Sequence, residues 1–332
     1  MKNVADKLVH SDEPSVRWQV LTRVLERDPH SADLTNLRAE IKTCPRVTKL
    51  LSERDAAGKI PLHPYAKWRG AHWVLTTLAD LGYPPDDESL LPLREQVYEF
   101  LFSKKYTKQV TQVIEHRVRL HASIDGNAVY ALSALGLADA RTDELVGRLL
   151  SAQWEDGGWN CDKNPHALHA SFTESLIPLR ALGLYSQITA NEETRAATKR
   201  AAELFLRRHL YKRAHDDHVI RYEFVKLHYP LYWHYDILFA LKVMTENGFV
   251  SDYRCMDALD LLESKRLPGG GFPAEAKYYL MTNRMNSRSS LVDWGGTSKR
   301  RMNEFVTADA MFVLHHARRL YNGGGRNETL TT

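Results

Sequence analysis

Two kinds of helical segment alternate along the chain. One kind is apolar on nearly every side, as in "DILFALKV" (236–243) and "ADAMFVL" (308–314), and such helices are buried all round. The other carries a charged face, as in "TDELVGRLL" (142–150), "EETRAATKRAAELFLRR" (192–208) and "YRCMDALDLLESK" (253–265). The pattern predicts inner, fully buried helices over 15–28, 66–81, 121–135, 168–182, 233–247 and 305–320. It predicts outer, amphipathic helices over 33–52, 88–103, 140–153, 192–209 and 252–265. The stretches 104–120 and 210–232 leave room for short helices, and only "DHVIRYEFVKL" has extended character.

The alternation is a repeat. "LLSAQWEDGGW" (149–159) has relatives in "LLSERDAAGKI" (50–60) and "LLESKRLPGGGF" (261–272): an apolar helix end, a charged turn, glycine, then a bulky apolar residue. "HASIDGNAVYALSALGL" (121–137) and "HASFTESLIPLRALGL" (169–184) share their first three and last four residues. Helix pairs repeated in this way stack into an open solenoid or close around one axis. Closure is the expectation here, because the inner helices are too apolar to line an open concave face. The predicted fold is all-α: an α/α barrel (toroid) of about six inner and five to six outer helices. It forms one domain over 1–322, and the small polar stretch 323–332 is read as a tail.

Composition narrows the partners. A net charge of +4 on 332 residues, with no basic run longer than Lys299–Arg301, excludes an electrostatic nucleic-acid binder. Cys44, Cys161 and Cys255 lie far apart with no CxxC pair, so neither a structural zinc site nor a disulfide framework is expected. No apolar leader or transmembrane-length run is visible, which points to a cytoplasmic protein with no transmembrane segment.

Gln153, Asp156, Gly157, Gly158 and Trp159 meet the pattern QxxDGGW, which resembles the QW repeat of squalene cyclases. The β-subunits of protein prenyltransferases share the toroid and similar glycine-rich junctions. What the resemblance implies is the fold, with the QW segment joining outer helices through stacking and a glutamine cap. It also implies an isoprenoid-like hydrophobic ligand. The chemical motifs of these groups are absent. The nearest string to the cyclase DxDD is "DALD" (257–260), on a polar helix, and no DxC of a zinc-binding prenyltransferase occurs. Val306-Thr307-Ala308-Asp309 stands where the last inner helix of that family begins with its histidine. No cofactor is expected.

In such a barrel the inner helices begin at one rim, where free N–H groups and the helix dipoles favour anions. The aligned repeats place Trp68, Arg69, His72, His121, Asp125, Glu174, Tyr232 and Trp233 there as candidate substrate contacts, with Trp294 from the irregular 277–305 stretch. "HYPLYWHYD" (228–236) is the densest constellation: Asp236 and His234 form the leading acid–base pair, supported by His169 and Asp309. Helix capping is the plainer role for Asp236 and Asp309. His166 and His169 would share a helix face, but a metal would need a third ligand from Glu174, His121 or His234. The 277–305 stretch, with Lys277, Arg284, Arg288, Lys299, Arg300 and Arg301, reads as a lid or binding loop. The function expected is acid–base catalysis on a hydrophobic small molecule in the central cavity. The alternatives are a noncatalytic ligand- or partner-binding toroid and a carbohydrate lyase or hydrolase on an α/α barrel.

Overall fold

A computed structural model describes residues 2–320; the 323–332 stretch lies outside the described residues. The chain is mostly helical, as the hydrophobic pattern predicts. The six segments expected to be buried are α2 (Pro14–Arg23), α5 (Ala71–Leu81), α8 (Ala122–Ala134), α10 (Phe172–Thr189), α12 (Ile237–Glu246) and α14 (Glu304–His316). The first departs from the expectation: α2 stops at Arg23 rather than 28 and buries only Pro14, Ser15, Val16, Gln19 and Val20. In α8 every residue from Ala122 to Leu132 is buried, and in α14 every residue from Phe305 to Leu314. The amphipathic set is α3 (Ala32–Thr43), α4 (Pro45–Leu51), α6 (Leu91–Leu101), α9 (Ala140–Ser151), α11 (Glu192–Leu206) and α13 (Met256–Ser264). These bury one stripe each, for example Leu145, Val146 and Leu149 of α9.

Packing follows the chain. α5 lies against α8, α8 against α10, α10 against α12, α12 against α14, and α14 against α2. Between α2 and α5, Gln19 Nε2 donates to the Asp80 carbonyl (2.8 Å), and the Trp18 ring lies where a side chain on Gly82 would have to be. Gly82 is left-handed (φ 76°) and closes α5.

Several boundaries differ from the pattern. The 33–52 segment breaks at Cys44, because Pro45 cannot continue α3 and instead starts α4. The first helix, α1 (Lys2–Val9), was not anticipated. The 104–120 stretch becomes α7 (Lys104–Val110) and a hairpin of β1 (Gln112–Ile114) and β2 (Arg117–Arg119). "DHVIRYEFVKL" is not a strand: it contributes one bridge, Lys212 to Val219, and a 3-10 turn at Tyr222–Val225. Helix α10 begins at Phe172, four residues later than expected, which leaves 166–171 irregular. The 277–305 stretch is held by a two-residue parallel pair, β3 (Leu280–Met281) with β4 (Ser289–Ser290). No described helix is long and apolar enough to cross a membrane.

The QxxDGGW junction acts as joinery. Gln153 Nε2 donates to the carbonyls of Gly157 (2.8 Å) and Ala197 on α11 (2.9 Å), and its oxygen accepts from Arg200 (2.6 Å). Trp159 Nε1 donates to the Leu149 carbonyl (2.8 Å), folding the junction back on α9. Gly157 is left-handed (φ 98°), and a Cβ there would strike the Arg200 carbonyl; this turn admits only glycine.

Candidate functional site

The rim formed by the starts of the buried helices is filled, not open. Trp68, 3% exposed, stacks on Tyr232 with ring centroids 3.8 Å apart, and its Nε1 donates to the Tyr278 carbonyl (2.8 Å). His234 is sandwiched between Tyr278 (3.5 Å) and Trp233 (4.3 Å). Trp294 is buried against Tyr229 and Phe305. The 277–305 stretch divides by chemistry. Its aromatic and small members, Tyr279, Ser289, Ser290, Val292 and Trp294, are buried, whereas Lys277, Arg284, Arg288, Lys299, Arg300 and Arg301 are exposed. In this structure the stretch packs as a plug.

The expected Asp236–His234 pairing is replaced. Asp236 is fully buried, caps α12 by accepting from Phe239 N (2.7 Å), and accepts from His228 N (2.9 Å) and, in a very short contact, His228 Nδ1. Its imidazole partner is therefore His228, eight residues back. His234 is pushed down to about 2 by burial, with His228, Lys67 and Arg288 adding positive charge nearby, and it stays neutral. His169 is exposed and joins neither of them. It lines a peripheral groove of about 460 Å³ with Arg208, Arg213 and Arg221. The expected His166–His169 face does not form either: His166 lies in a turn and lines a different surface furrow of about 700 Å³ with His116 and Trp154.

The remaining rim candidates satisfy one another locally. Arg69 Nε donates to Glu53 (2.6 Å). His72 bonds the Ile124 carbonyl (2.9 Å) and is pushed down to about 4 by burial. Asp125, fully buried, accepts from Tyr106 Oη (3.0 Å) and Arg148 (3.2 Å); burial pushes its carboxyl up to about 6. His121, Glu174 and the unanticipated Cys161 come together. Glu174 Oε1 lies 3.5 Å from His121 Nδ1 and accepts from Cys161 Sγ at 3.3 Å, while Oε2 accepts from Ser123 N (2.9 Å). Burial, with the Glu174 charge adding to it, pushes the Cys161 thiol up to about 12.

The opposite end forms a hollow that is open to solvent. A cavity of about 350 Å³ is lined by Arg23, Tyr130, Arg180, Glu246, Phe312 and His316, among others. A second, of about 150 Å³, shares Arg23, Tyr130, Ala134 and Arg180 with it and adds Trp18, Arg38 and Asp80. The C-terminal parts of all six buried helices line this space. Arg180, 4% exposed, joins Asp80 (2.7 Å) and Glu246 (2.7 Å), and Arg23 bonds Glu246 (2.9 Å). The Arg180 guanidinium also lies over the Tyr130 ring (3.8 Å) and that of Arg23 over Phe312 (4.3 Å). One turn before Glu246 and Phe312 respectively, Lys242 meets Asp309 at 2.7 Å. Burial pushes the Asp309 carboxyl up despite Lys242.

Sequence reasoning placed Asp309 at the rim and missed Asp80, Arg180, Lys242 and Glu246 altogether. Their signal was a charge standing inside an otherwise apolar helix, as in "SLIPLRALGL" and "ILFALKVMTE". No protein-family model matches this chain, and no curated protein is similar to it.

Proposed function

We propose that the six buried helices close into an α/α toroid and that the chain is an enzyme acting on a small molecule in the axial hollow. What carries this reading is the convergence of all six helix ends on two adjoining cavities lined by buried ionic and aromatic groups. The succession of neighbours from α5 round to α14, α2 and back through Gln19 supports closure. Buried ion networks cost desolvation and are weak stabilisers, and perturbed carboxyls beside a cavity are characteristic of sites.

The ligand class shifts from a plain hydrocarbon to a molecule with an apolar or aromatic body and one anionic group. Phe312, Tyr130 and Trp18 offer faces for the body. Arg23, whose side chain is 28% exposed against 4% for Arg180, would take the anion. Asp309, its carboxyl raised, lies one turn behind Phe312 of the lining rather than in it; a substrate reaching that layer would exchange its proton there, with Lys242 setting the charge.

The test is a thermal-shift screen of aryl and alkyl carboxylates and phosphates against wild type and Ala134→Trp, whose indole fills the hollow. Hits on wild type that vanish in Ala134→Trp, with Asp309→Asn still binding but unable to turn over any hit, are the expected result. Hits that persist in Ala134→Trp would sink the assignment, and so would the absence of any hit on wild type.

A further inference from the structure

The QxxDGGW junction does more than join helices. It carries Cys161 two residues beyond Trp159 and into contact with two other donors. We infer that His121, Cys161 and Glu174 form a three-donor site for a borderline divalent cation, Zn²⁺ foremost, separate from the axial hollow.

Geometry is the first ground. One ligand atom from each of the three residues lies within 4.8 Å of the other two. A tetrahedral cation with Zn–N and Zn–O bonds of about 2.0 Å and a Zn–S bond of about 2.3 Å separates its donors by roughly 3.3–3.5 Å. The Cys161–Glu174 and His121–Glu174 separations are 3.3 and 3.5 Å. The two edges that meet at Glu174 Oε1 therefore already have the length such an ion needs.

Preorganisation is the second. Leu120 N donates to the Asn160 carbonyl (3.1 Å), tying the residue before His121 to the residue before Cys161. Ser171 N donates to the Trp159 carbonyl (2.8 Å) and Trp159 N to Ser175 Oγ (2.9 Å), tying the same junction to the first turn of α10, where Glu174 stands. Ser123 N fixes Glu174 Oε2 and leaves Oε1 facing the other two donors, which orients the carboxylate for a cation. His121 occupies the N-cap position of α8 but makes no side-chain cap bond; its ring turns to Glu174.

Donor chemistry is the third. Among the described residues neither Arg nor Lys pairs with Glu174, whose side chain is only 12% exposed: its partners are a thiol, an imidazole and a backbone N–H. A thiolate, an imidazole and a carboxylate together select Zn²⁺ over Mg²⁺ or Ca²⁺. The His121 side chain is 42% exposed, so the site is reachable from solvent, and three protein donors leave a fourth position for water or substrate.

Co²⁺ is the probe, because it reports thiolate ligation optically. Protein dialysed against chelator and titrated with Co²⁺ is expected to show, at one equivalent, a thiolate-to-metal charge-transfer band with tetrahedral visible bands, both bleached by Zn²⁺. Cys161→Ser should lose the charge-transfer band, and Glu174→Gln should weaken Co²⁺ binding by at least 10–100-fold, roughly the loss seen when even an outer-shell partner is removed. His166→Ala, on the neighbouring loop, should match wild type, as should Ala134→Trp, which separates this site from the hollow. Melting curves would confirm that the variants fold. A featureless wild-type spectrum, or a Cys161→Ser spectrum identical to wild type, would overturn the inference.

Discussion

The two ends of the buried helices have opposite characters although the same six helices build both. At their starts the space is filled by stacked aromatics and neutral histidines, sealed by Tyr279, Val292 and Trp294. At their ends it is hollow, with Arg23, Arg38 and Arg180 among acids. Helix dipoles account for much of this. N-cap side chains answer the N-terminal N–H groups of three of the six helices: Glu13 caps α2, Asp236 caps α12, and Asn303 caps α14 by accepting from Phe305 N and Val306 N (both 3.1 Å). At those three starts an anion has little left to bind, whereas α5, α8 and α10 begin without a side-chain cap bond. The C-terminal carbonyls carry partial negative charge and attract guanidinium groups; Arg38 Nε donates to the Gly82 carbonyl (3.1 Å) at the end of α5. Helix direction alone does not locate a site; what matters is which end the side chains leave unsatisfied.

The contrast breaks most visibly at Arg180. Arg180→Met leaves Asp80 and Glu246 facing each other without their shared cation, and the expected loss is about 3–5 kcal/mol in urea denaturation. Neutralising all three together, with Asp80→Asn and Glu246→Gln added, should recover most of that loss. A cost below about 1 kcal/mol for the single change would mean the quartet is screened like a surface pair, and the ionic end would not differ from ordinary exterior.

Acid should strike the two ends in different windows. His72 and His234 have folded values pushed down to about 4 and about 2, so the unfolded chain protonates first. Stability therefore falls as pH drops below the ordinary histidine value near 6.5, by about 1.4 kcal/mol per pH unit for each histidine. Glu246 behaves otherwise. Burial opposes its ionisation, yet Arg180 and Arg23 hold it down at about 2; its contribution is intact above the ordinary glutamate range and is lost only as pH falls toward 2. Asp125, pushed up to about 6, gains stability over part of the upper window and offsets some of the rim's loss. His234→Phe keeps the stack and removes one titrating group. Its stability should fall less than that of wild type from pH 6.5 downward, with the gap still widening below 4.5 because the folded His234 value lies at about 2, as followed by tryptophan fluorescence melts. Equal slopes in the upper window would remove His234 from the account.

The helices were legible because burial leaves little room for charge: α8 and α14 are buried on every side over ten or more residues and carry only an occasional polar side chain such as Asp125 or Asp309. The junction was legible for a related reason, since Gly157 and Gln153 each answer a local backbone requirement. The pairings were not. Asp236 chooses His228 over the adjacent His234 because the chain folds back between them, and a count of residues does not register that turn. The Lys242–Asp309 contact joins residues on different helices, and Cys161 reaches Glu174 only because the junction folds onto α10. Residue type raised the 277–305 stretch as a binding loop, whereas its alternation of buried aromatics with exposed arginines identifies it as a plug.

The smallest effect tests whether that plug stays shut. Tyr279 is 2% exposed, and its hydroxyl oxygen accepts from Trp294 N (3.3 Å) and Gly296 N (3.2 Å), two donors with no second acceptor among the described residues. Tyr279→Phe keeps the ring and removes the acceptor, which should cost about 1–2 kcal/mol. Because the loss is local, amide exchange at Trp294 and Gly296 should accelerate while the amides of α8 and α14 keep their protection. A structural plug leaves ligand binding at the far end unchanged, since Arg23, Tyr130 and Phe312 line the opposite end of the helices. If Tyr279→Phe instead alters the thermal-shift hits that Ala134→Trp abolishes, the rim and the hollow are coupled. The 277–305 stretch would then work as a gate, and the division into a sealed end and a working end would have to be given up.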